Sequence, residues 1–133
     1  MMDGLLFALT LLSALGCGLM AGVFFAFSAF EMRALASLQP TQGIPAMQSI
    51  NRVVINPLFL GVFIGTAVVC ILMAVLAAFR WSQPAAACLM IGSLFYLIGT
   101  FLVTIVFNVP MNDALETVDP EGADATTAWA GYL

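Results

Sequence analysis

Three long stretches of the chain are almost continuously apolar and contain no charged residue: residues 4–30, 53–79 and 81–112. An α-helix needs about 20 mostly apolar residues to cross the hydrocarbon layer of a bilayer, and each stretch is longer than that. The pattern predicts membrane spans over residues 5–32, 56–80 and 85–108. We therefore expect an all-α transmembrane bundle, with a single membrane domain covering residues 1–133.

Shorter elements are predicted between and after these spans. Apolar and polar residues alternate at helical spacing over residues 44–52, which is typical of an amphipathic helix at the membrane interface. The turn-forming residues 39–43 precede it, and Pro110 is expected to end the third span. Residues 112–124 form a polar, acidic connection, and Asp119-Pro120-Glu121 marks the start of a last helix over residues 120–133. This helix stops in mid-pattern, so we expect the natural chain to continue past Leu133.

Composition excludes several functions. The chain has 3 basic and 7 acidic residues and no His, and its arginines form no basic patch, so a nucleic-acid partner is not expected. Cys17, Cys70 and Cys88 lie singly in apolar stretches, without the spacing of metal ligands. We therefore expect no metal site and predict that the cysteines pack as small hydrophobes.

The polar residues are predicted to gather on one side of the membrane. If side A is the side of Met1, the first span ends on side B, the second begins there and the third returns to it. Side B then receives Arg33, Gln48, Asn51, Arg52, Asn56, Asn108, Asn112 and Asp113. Two of the three arginines lie on this side, which favours a cytoplasmic side B.

A polar stripe on the third span predicts one wall of a substrate cavity. Tyr96, Thr100, Thr104 and Asn108 recur every four residues and would face the bundle interior, with Asn51 near the cavity mouth. The alternative is that the threonine hydroxyls bond to backbone carbonyls one turn back, as they do in many membrane helices.

Four residues are candidates for catalysis. Glu31 would act as a general base if apolar walls raised its pKa, and otherwise it is a solvated carboxylate at a helix end. Asn56, Asn108 and Asn112 are uncharged donors that could stabilise a developing oxyanion, although asparagines at such positions are more often caps and turn formers.

Small residues predict where the helices pack. Ala14, Gly18, Gly22 and Ala26 fall at four-residue intervals on the first span, and Gly61 and Gly65 repeat this spacing on the second. Such stripes let helix backbones approach closely in lipid. We expect a contact between these two spans, and the alternative is the seam of a homo-oligomer.

Several segments resemble the anthrone oxygenase-like family of small bacterial and fungal membrane proteins, formerly a domain of unknown function. The most specific is Phe107-Asn108-Val109-Pro110-Met111-Asn112. Others are residues 21–30, 42–51, 56–59 and 99–104, and Trp129 and Tyr132 fit the start of the family's last conserved block. Members usually continue into a fourth span through a block containing His and Arg, and this sequence ends before it.

The resemblance implies a four-helix membrane bundle in the bacterial inner membrane. For some members it also implies oxidation of an anthrone, a flat aromatic substrate, to an anthraquinone by O₂ without a bound metal or flavin. We therefore expect no cofactor. The contrasting hypothesis is a non-catalytic accessory subunit that packs against a larger membrane complex through its glycine stripe. A transporter is a weaker third hypothesis, because no charged residue lies in mid-membrane.

Overall fold

The computed structural model describes the backbone from Met2 to Leu133 and the side chains from Gly4 onward. Within these residues it contains five helices and no strand, which confirms the all-α class. Helix α1 combines the α-helical segment Met2–Ala26, a π-helical segment Phe27–Glu31 and a last α-helical turn Met32–Ala36. Helices α2 and α3 are Pro40–Val54 and Pro57–Phe79. Helix α4 combines Ala86–Leu94, the π-helical segments Phe95–Leu102 and Thr104–Asn108, and Val109–Glu116; helix α5 is Ala125–Tyr132.

Three helices are long and apolar enough to cross a membrane: Gly4–Ala36, Pro57–Phe79 and Ala86–Glu116. The three predicted spans are therefore confirmed. In the most apolar stretch of α3, 33% of the residues are buried within the protein, whereas 11% are buried in the corresponding stretches of α1 and α4. Most of the apolar side chains on α1 and α4 are thus left exposed, as expected of surfaces that contact lipid tails.

Helix α4 extends further than the sequence predicted, because Pro110 does not end it. The helix continues to Glu116, with Pro110 in the first turn of the α-helical segment that follows Thr104–Asn108. Proline in a helix interior lacks a hydrogen-bond donor and collides with the carbonyl four residues earlier. The preceding π-helical turn is wider, and we attribute the tolerance of Pro110 to that change in hydrogen-bond pattern.

Two other predicted boundaries were wrong. Helix α2 begins at Pro40 rather than after residue 43, because proline suits the first helical position and the Gly43 N–H already donates to the Gln39 carbonyl at 2.8 Å. Helix α5 begins at Ala125 rather than residue 120. The Asp119 carboxylate accepts the Glu121 N–H at 3.0 Å and so closes a local turn, where the sequence had suggested a helix cap.

The chain divides into two compact units. Unit 1 comprises Met1–Ala21 and Pro57–Thr104, and unit 2 comprises Gly22–Asn56 and Ile105–Leu133. In unit 1, Phe63 lies at the centre of an aromatic cluster. Its ring centroid is 5.9 Å from that of Phe59, 5.1 Å from that of Phe101 and 6.5 Å from that of Tyr96.

The close approach of α1 to α3 in unit 1 occurs at Gly16, which the sequence analysis did not single out. A Cβ atom built on Gly16 would collide with the side chain of Thr66. A Cβ on Gly18, Gly61 or Gly65 would meet nothing within 4 Å. The predicted contact through these three glycines is therefore wrong within one chain, because their bare faces point away from the neighbouring helix. Ala14 is likewise exposed.

The remaining members of the predicted stripe belong to unit 2. A Cβ on Gly22 would also meet nothing within 4 Å, and Ala26 is half-buried. The alternative interpretation, in which this stripe packs on another chain, stays a prediction.

Candidate functional site

The polar residues that the sequence placed on side B all fall in unit 2, from Glu31 to Asn56 and from Asn108 to the aromatic C-terminal residues. This unit is organised around one face of α2. Gly43, Ile44, Met47, Gln48 and Asn51 are buried there at helical spacing. The apolar members of this face pack against four buried side chains on the other helices of the unit: Leu35, Leu115, Ala125 and Trp129. Burial of this face explains why a helix with so many polar residues is held in place.

Helices α2 and α5 meet where Gly43 faces Trp129. The indole is 3% exposed, and a Cβ atom on Gly43 would overlap its ring. Any larger residue at position 43 would therefore push the indole away. This is a position where glycine is required by close approach and not by backbone conformation.

Gln48 joins α2 to the end of α4. Its Nε2 donates to the carbonyls of Leu115 at 2.9 Å and Val118 at 3.1 Å. The last carbonyls of a helix have no partner within that helix, so this side chain satisfies groups that burial would otherwise penalise. Arg52 lies one turn further along and forms a salt bridge with Glu116, Nε to Oε1 at 3.4 Å. Because the Arg52 side chain is 64% exposed, this salt bridge adds little stability.

Tyr132 and Asn112 form the polar edge of the site. The Tyr132 hydroxyl donates to Asn112 Oδ1 at 2.7 Å. The Tyr132 ring stacks on Trp129 with 5.8 Å between centroids and 9° between planes. Burial raises the pKa of Tyr132, so the phenol stays protonated at neutral pH and acts as a donor. Since its oxygen accepts this bond, the Asn112 amide presents its N–H groups in another direction.

A groove of about 230 Å³ opens between α4 and α5 beside this pair. It is lined by small and apolar side chains and by the tyrosine ring: Met111, Ala114, Leu115, Val118, Ala128, Gly131 and Tyr132. Pockets for drug-sized ligands start at about 300 Å³ and are mostly apolar with a few polar groups. The groove is therefore suited in size and chemistry to a small, flat and largely apolar molecule.

Two buried donors in unit 2 have no acceptor among the residues that the structure describes. They are Nδ2 of Asn51, a residue that is 9% exposed, and Nε1 of Trp129. A buried N–H without a partner is costly, and its occurrence in a native protein needs a reason such as a bound molecule. Asn51 was a predicted binding residue, whereas nothing in the sequence indicated that the Trp129 indole N–H would lack an acceptor.

The other catalytic candidates have more ordinary surroundings. The Asn56 amide donates to the carbonyls of Val53 at 3.0 Å and Val54 at 3.4 Å, which closes the turn after α2. Glu31 is half-buried at the end of a π-helical segment of α1, and Asn108 is half-buried at the end of one in α4. These residues share unit 2 with the groove, but none of them lines it.

The rest of the polar stripe, Tyr96, Thr100 and Thr104, lies in unit 1, and the hydroxyls of Tyr96 and Thr104 donate to backbone carbonyls. The Tyr96 hydroxyl donates to the Phe63 carbonyl at 2.8 Å, and the Thr104 hydroxyl donates to the Thr100 carbonyl at 2.7 Å. For Thr104 this is the alternative that the sequence analysis considered. No group of three or more potential metal ligands occurs among the residues with described side chains.

Comparison with known families extends these observations. A sequence profile of the anthrone oxygenase family matches residues 59–132, more than half of the chain. The chain belongs to the anthrone oxygenase family. The match covers α3, α4 and α5, and with them Asn112, Tyr132 and the whole groove. The resemblance suggested by residues 21–30 and 42–51 lies outside the matched range and stays a prediction. Searches of curated proteins and of solved structures gave no match.

Proposed function

We propose that the protein oxidises a flat aromatic ketone of the anthrone type with O₂, and that the ketone binds in the groove of unit 2. The observation that carries the proposal is the hydrogen-bonded Tyr132–Asn112 pair at the edge of an apolar groove, within the segment that matches the anthrone oxygenase family. Such a groove offers apolar walls to the rings and polar hydrogens to the oxygen of the substrate.

The reaction requires few functional groups from the protein. Removal of a proton from the benzylic CH₂ gives a delocalised anion that can itself transfer an electron to O₂. That carbon then loses its second hydrogen and gains one oxygen atom as a carbonyl, while the other oxygen atom leaves as water. The proposed reaction therefore needs no metal or flavin, only binding, a base and donors for the enolate oxygen.

Three roles follow from the surroundings of the residues. We assign the donor role to the Asn112 amide, which the Tyr132 hydroxyl holds in one orientation. The unpaired N–H groups of Asn51 and Trp129 are buried and do not line the groove, so we assign them as donors to a small polar molecule such as water held within the unit, not to the substrate. Glu31 is the proposed base, acting through an intervening water because it does not line the groove; it is the half-buried carboxylate among those with described side chains, and Glu116 already pairs with Arg52.

The test is an oxidation assay with purified protein in detergent, supplied with anthrone and O₂. Quinone absorbance should rise faster than in the protein-free blank. Loss of one oxyanion donor typically lowers kcat by about a hundredfold or more, so Asn112→Ala should remove most of the gain. Gln42→Ala, which changes an exposed amide in the same unit, is the matched control and should keep full activity. A folded wild-type protein with no gain over the blank would refute the proposal.

A second candidate function, a helix-packing subunit of a larger complex, is favoured by a different observation. Gly18, Gly22, Gly61 and Gly65 leave bare backbone faces with open space around them. A partner helix could approach closely there. Gly61→Leu should then reduce the mass of the complex extracted from native membranes, whereas Gly99→Leu, at an open glycine outside the stripe, should not. An unchanged mass in both variants would exclude this role for Gly61.

A further inference from the structure

We propose that Gly131 sets the width of ring system that the groove admits, an inference that rests on the proposed binding of a flat aromatic in that groove. Three of the lining residues are as small as residues can be: Ala114, Ala128 and Gly131. Leu115, Val118 and Tyr132 are larger. The open width of the groove therefore depends on positions that have little or no side chain.

Gly131 has different surroundings from Gly43 in α2 and from Gly122, which precedes α5. A Cβ on Gly43 would overlap the Trp129 ring, and one on Gly122 would lie 3.2 Å from the Asp119 carbonyl oxygen. A Cβ on Gly131 would meet nothing within 4 Å. Gly131 is exposed, so the fold has room for a side chain at position 131, and because this residue lines the groove, part of that room is space that a ligand would occupy.

This arrangement makes stability and binding respond in opposite directions. Gly131 is in helix α5, where alanine is a better helix former than glycine. Gly131→Ala should therefore raise the thermal stability of the protein or leave it unchanged. The same methyl group takes up width in the groove, so affinity for a wide ligand should fall. If position 131 served only to pack the helix, a substitution there would change thermal stability and ligand affinity in the same direction.

Ala130 provides a matched control. It neighbours Gly131 in the same helix, is exposed, and does not line the groove. At about 100° per residue, the lining residues Ala128, Gly131 and Tyr132 share one side of α5 and Ala130 lies on the opposite side, so a larger side chain at position 130 would extend away from the groove. Ala130→Leu therefore adds apolar bulk to α5 without changing the proposed binding space.

Binding can be measured by titration calorimetry of the full chain in detergent with a ring-number series: benzenesulfonate, naphthalene-2-sulfonate and anthracene-2-sulfonate. Their charge keeps them soluble in water, and titration into empty micelles measures and subtracts their association with detergent. We expect Gly131→Leu to weaken binding of the three-ring probe by about tenfold or more, the order that a few methylenes cause in an apolar pocket, while the one-ring probe changes less than about twofold. Gly131→Ala should fall between wild type and Gly131→Leu, and Ala130→Leu should match wild type.

Two results would overturn the inference, and each is distinguishable from failure of the proposed function. If wild type binds the three-ring probe and both Gly131 variants bind it equally well, position 131 does not set the width. If wild type binds none of the probes, the groove is not the aromatic site. The oxidation assay is judged separately by quinone formation, so it can succeed or fail in either case. Gly131→Ala keeps the test informative if Gly131→Leu does not fold.

Discussion

The contact between Gly43 and Trp129 allows one substitution to be analysed in detail. Gly43→Ala adds a single methyl group in a helix, which at an unhindered site stabilises by about 0.5–1 kcal/mol because alanine loses less conformational freedom on folding. At Gly43 the methyl would overlap a 97% buried indole, and such overpacking costs about 1–3 kcal/mol. The steric cost exceeds the helix gain, and we expect a net destabilisation of about 1–2 kcal/mol.

The measurement is reversible unfolding in mixed micelles of mild detergent and dodecyl sulfate, followed by fluorescence. A Trp81→Phe background leaves Trp129 as the reporter, since the chain has 2 tryptophans. Gly22→Ala is the control, because Gly22 is helical, lies in the same unit, and has open space where the methyl would go. This control should be as stable as the parent or more so.

A double-mutant cycle, followed by far-UV circular dichroism because Trp129→Phe removes the fluorescent reporter, separates the steric effect from helix propensity. If the indole is what the methyl meets, Trp129→Phe should reduce the cost of Gly43→Ala, because a smaller ring leaves space. The reasoning is refuted if Gly43→Ala and Gly22→Ala shift stability equally. It is also refuted if the cost of Gly43→Ala is the same with Phe at position 129.

Three further predictions concern the polar contacts of unit 2. Gln48→Leu, which keeps the volume but removes both bonds to the end of α4, should lower the unfolding free energy by about 1–3 kcal/mol in the same micelle assay, because the Val118 carbonyl loses the Gln48 donor and the Leu115 carbonyl keeps only the Val118 N–H at 3.1 Å. Arg52→Ala should change stability by less than about 0.5 kcal/mol, since its salt bridge with Glu116 is exposed; a larger loss would show that the pair does more than its geometry suggests. Burial raises the pKa of Tyr132, so its protonated form favours the folded state: this stabilisation should be complete below the ordinary tyrosine pKa of about 10 and should be lost as pH rises through the raised value. Unfolding measured from pH 8 to 11 should show wild type losing stability relative to Tyr132→Phe, and parallel curves would contradict this.

The spans could be predicted because lipid imposes a simple requirement on sequence: long charge-free stretches occur where no water is present. The helix ends could not be predicted as well. Pro110 was expected to stop α4, yet the π-helical segment before it lets the helix continue. A helix inferred from sequence periodicity is given the same number of residues in every turn, so a change from α to π geometry within a span is not anticipated.

The candidate site was predicted in part. Alternation of the spans was enough to collect Asn51 and Asn112 with the aromatic residues at one end, because direction alone determines which polar residues share a side. The groove and the Gly43–Trp129 contact were not predicted: the groove depends on how α5 folds back on α4, and the contact joins two helices whose residues are more than 80 apart in the chain. Gly43 had been read as a turn residue, and a glycine on the buried face of an amphipathic helix is the signal that would have indicated a bulky neighbour.

The length of α4 has a consequence for where chemistry can occur. Its 31 residues from Ala86 to Glu116 extend roughly 45 Å at the rise of an α-helix, whereas the hydrocarbon layer is about 30 Å thick. If the helix stands upright, several turns protrude from the hydrocarbon layer, and the charge on Glu116 favours the lipid headgroups for that end. A compound dissolved in the bilayer would reach the α4–α5 groove by lateral diffusion at headgroup depth. There, O₂ dissolved in the apolar phase and protons from water are both available.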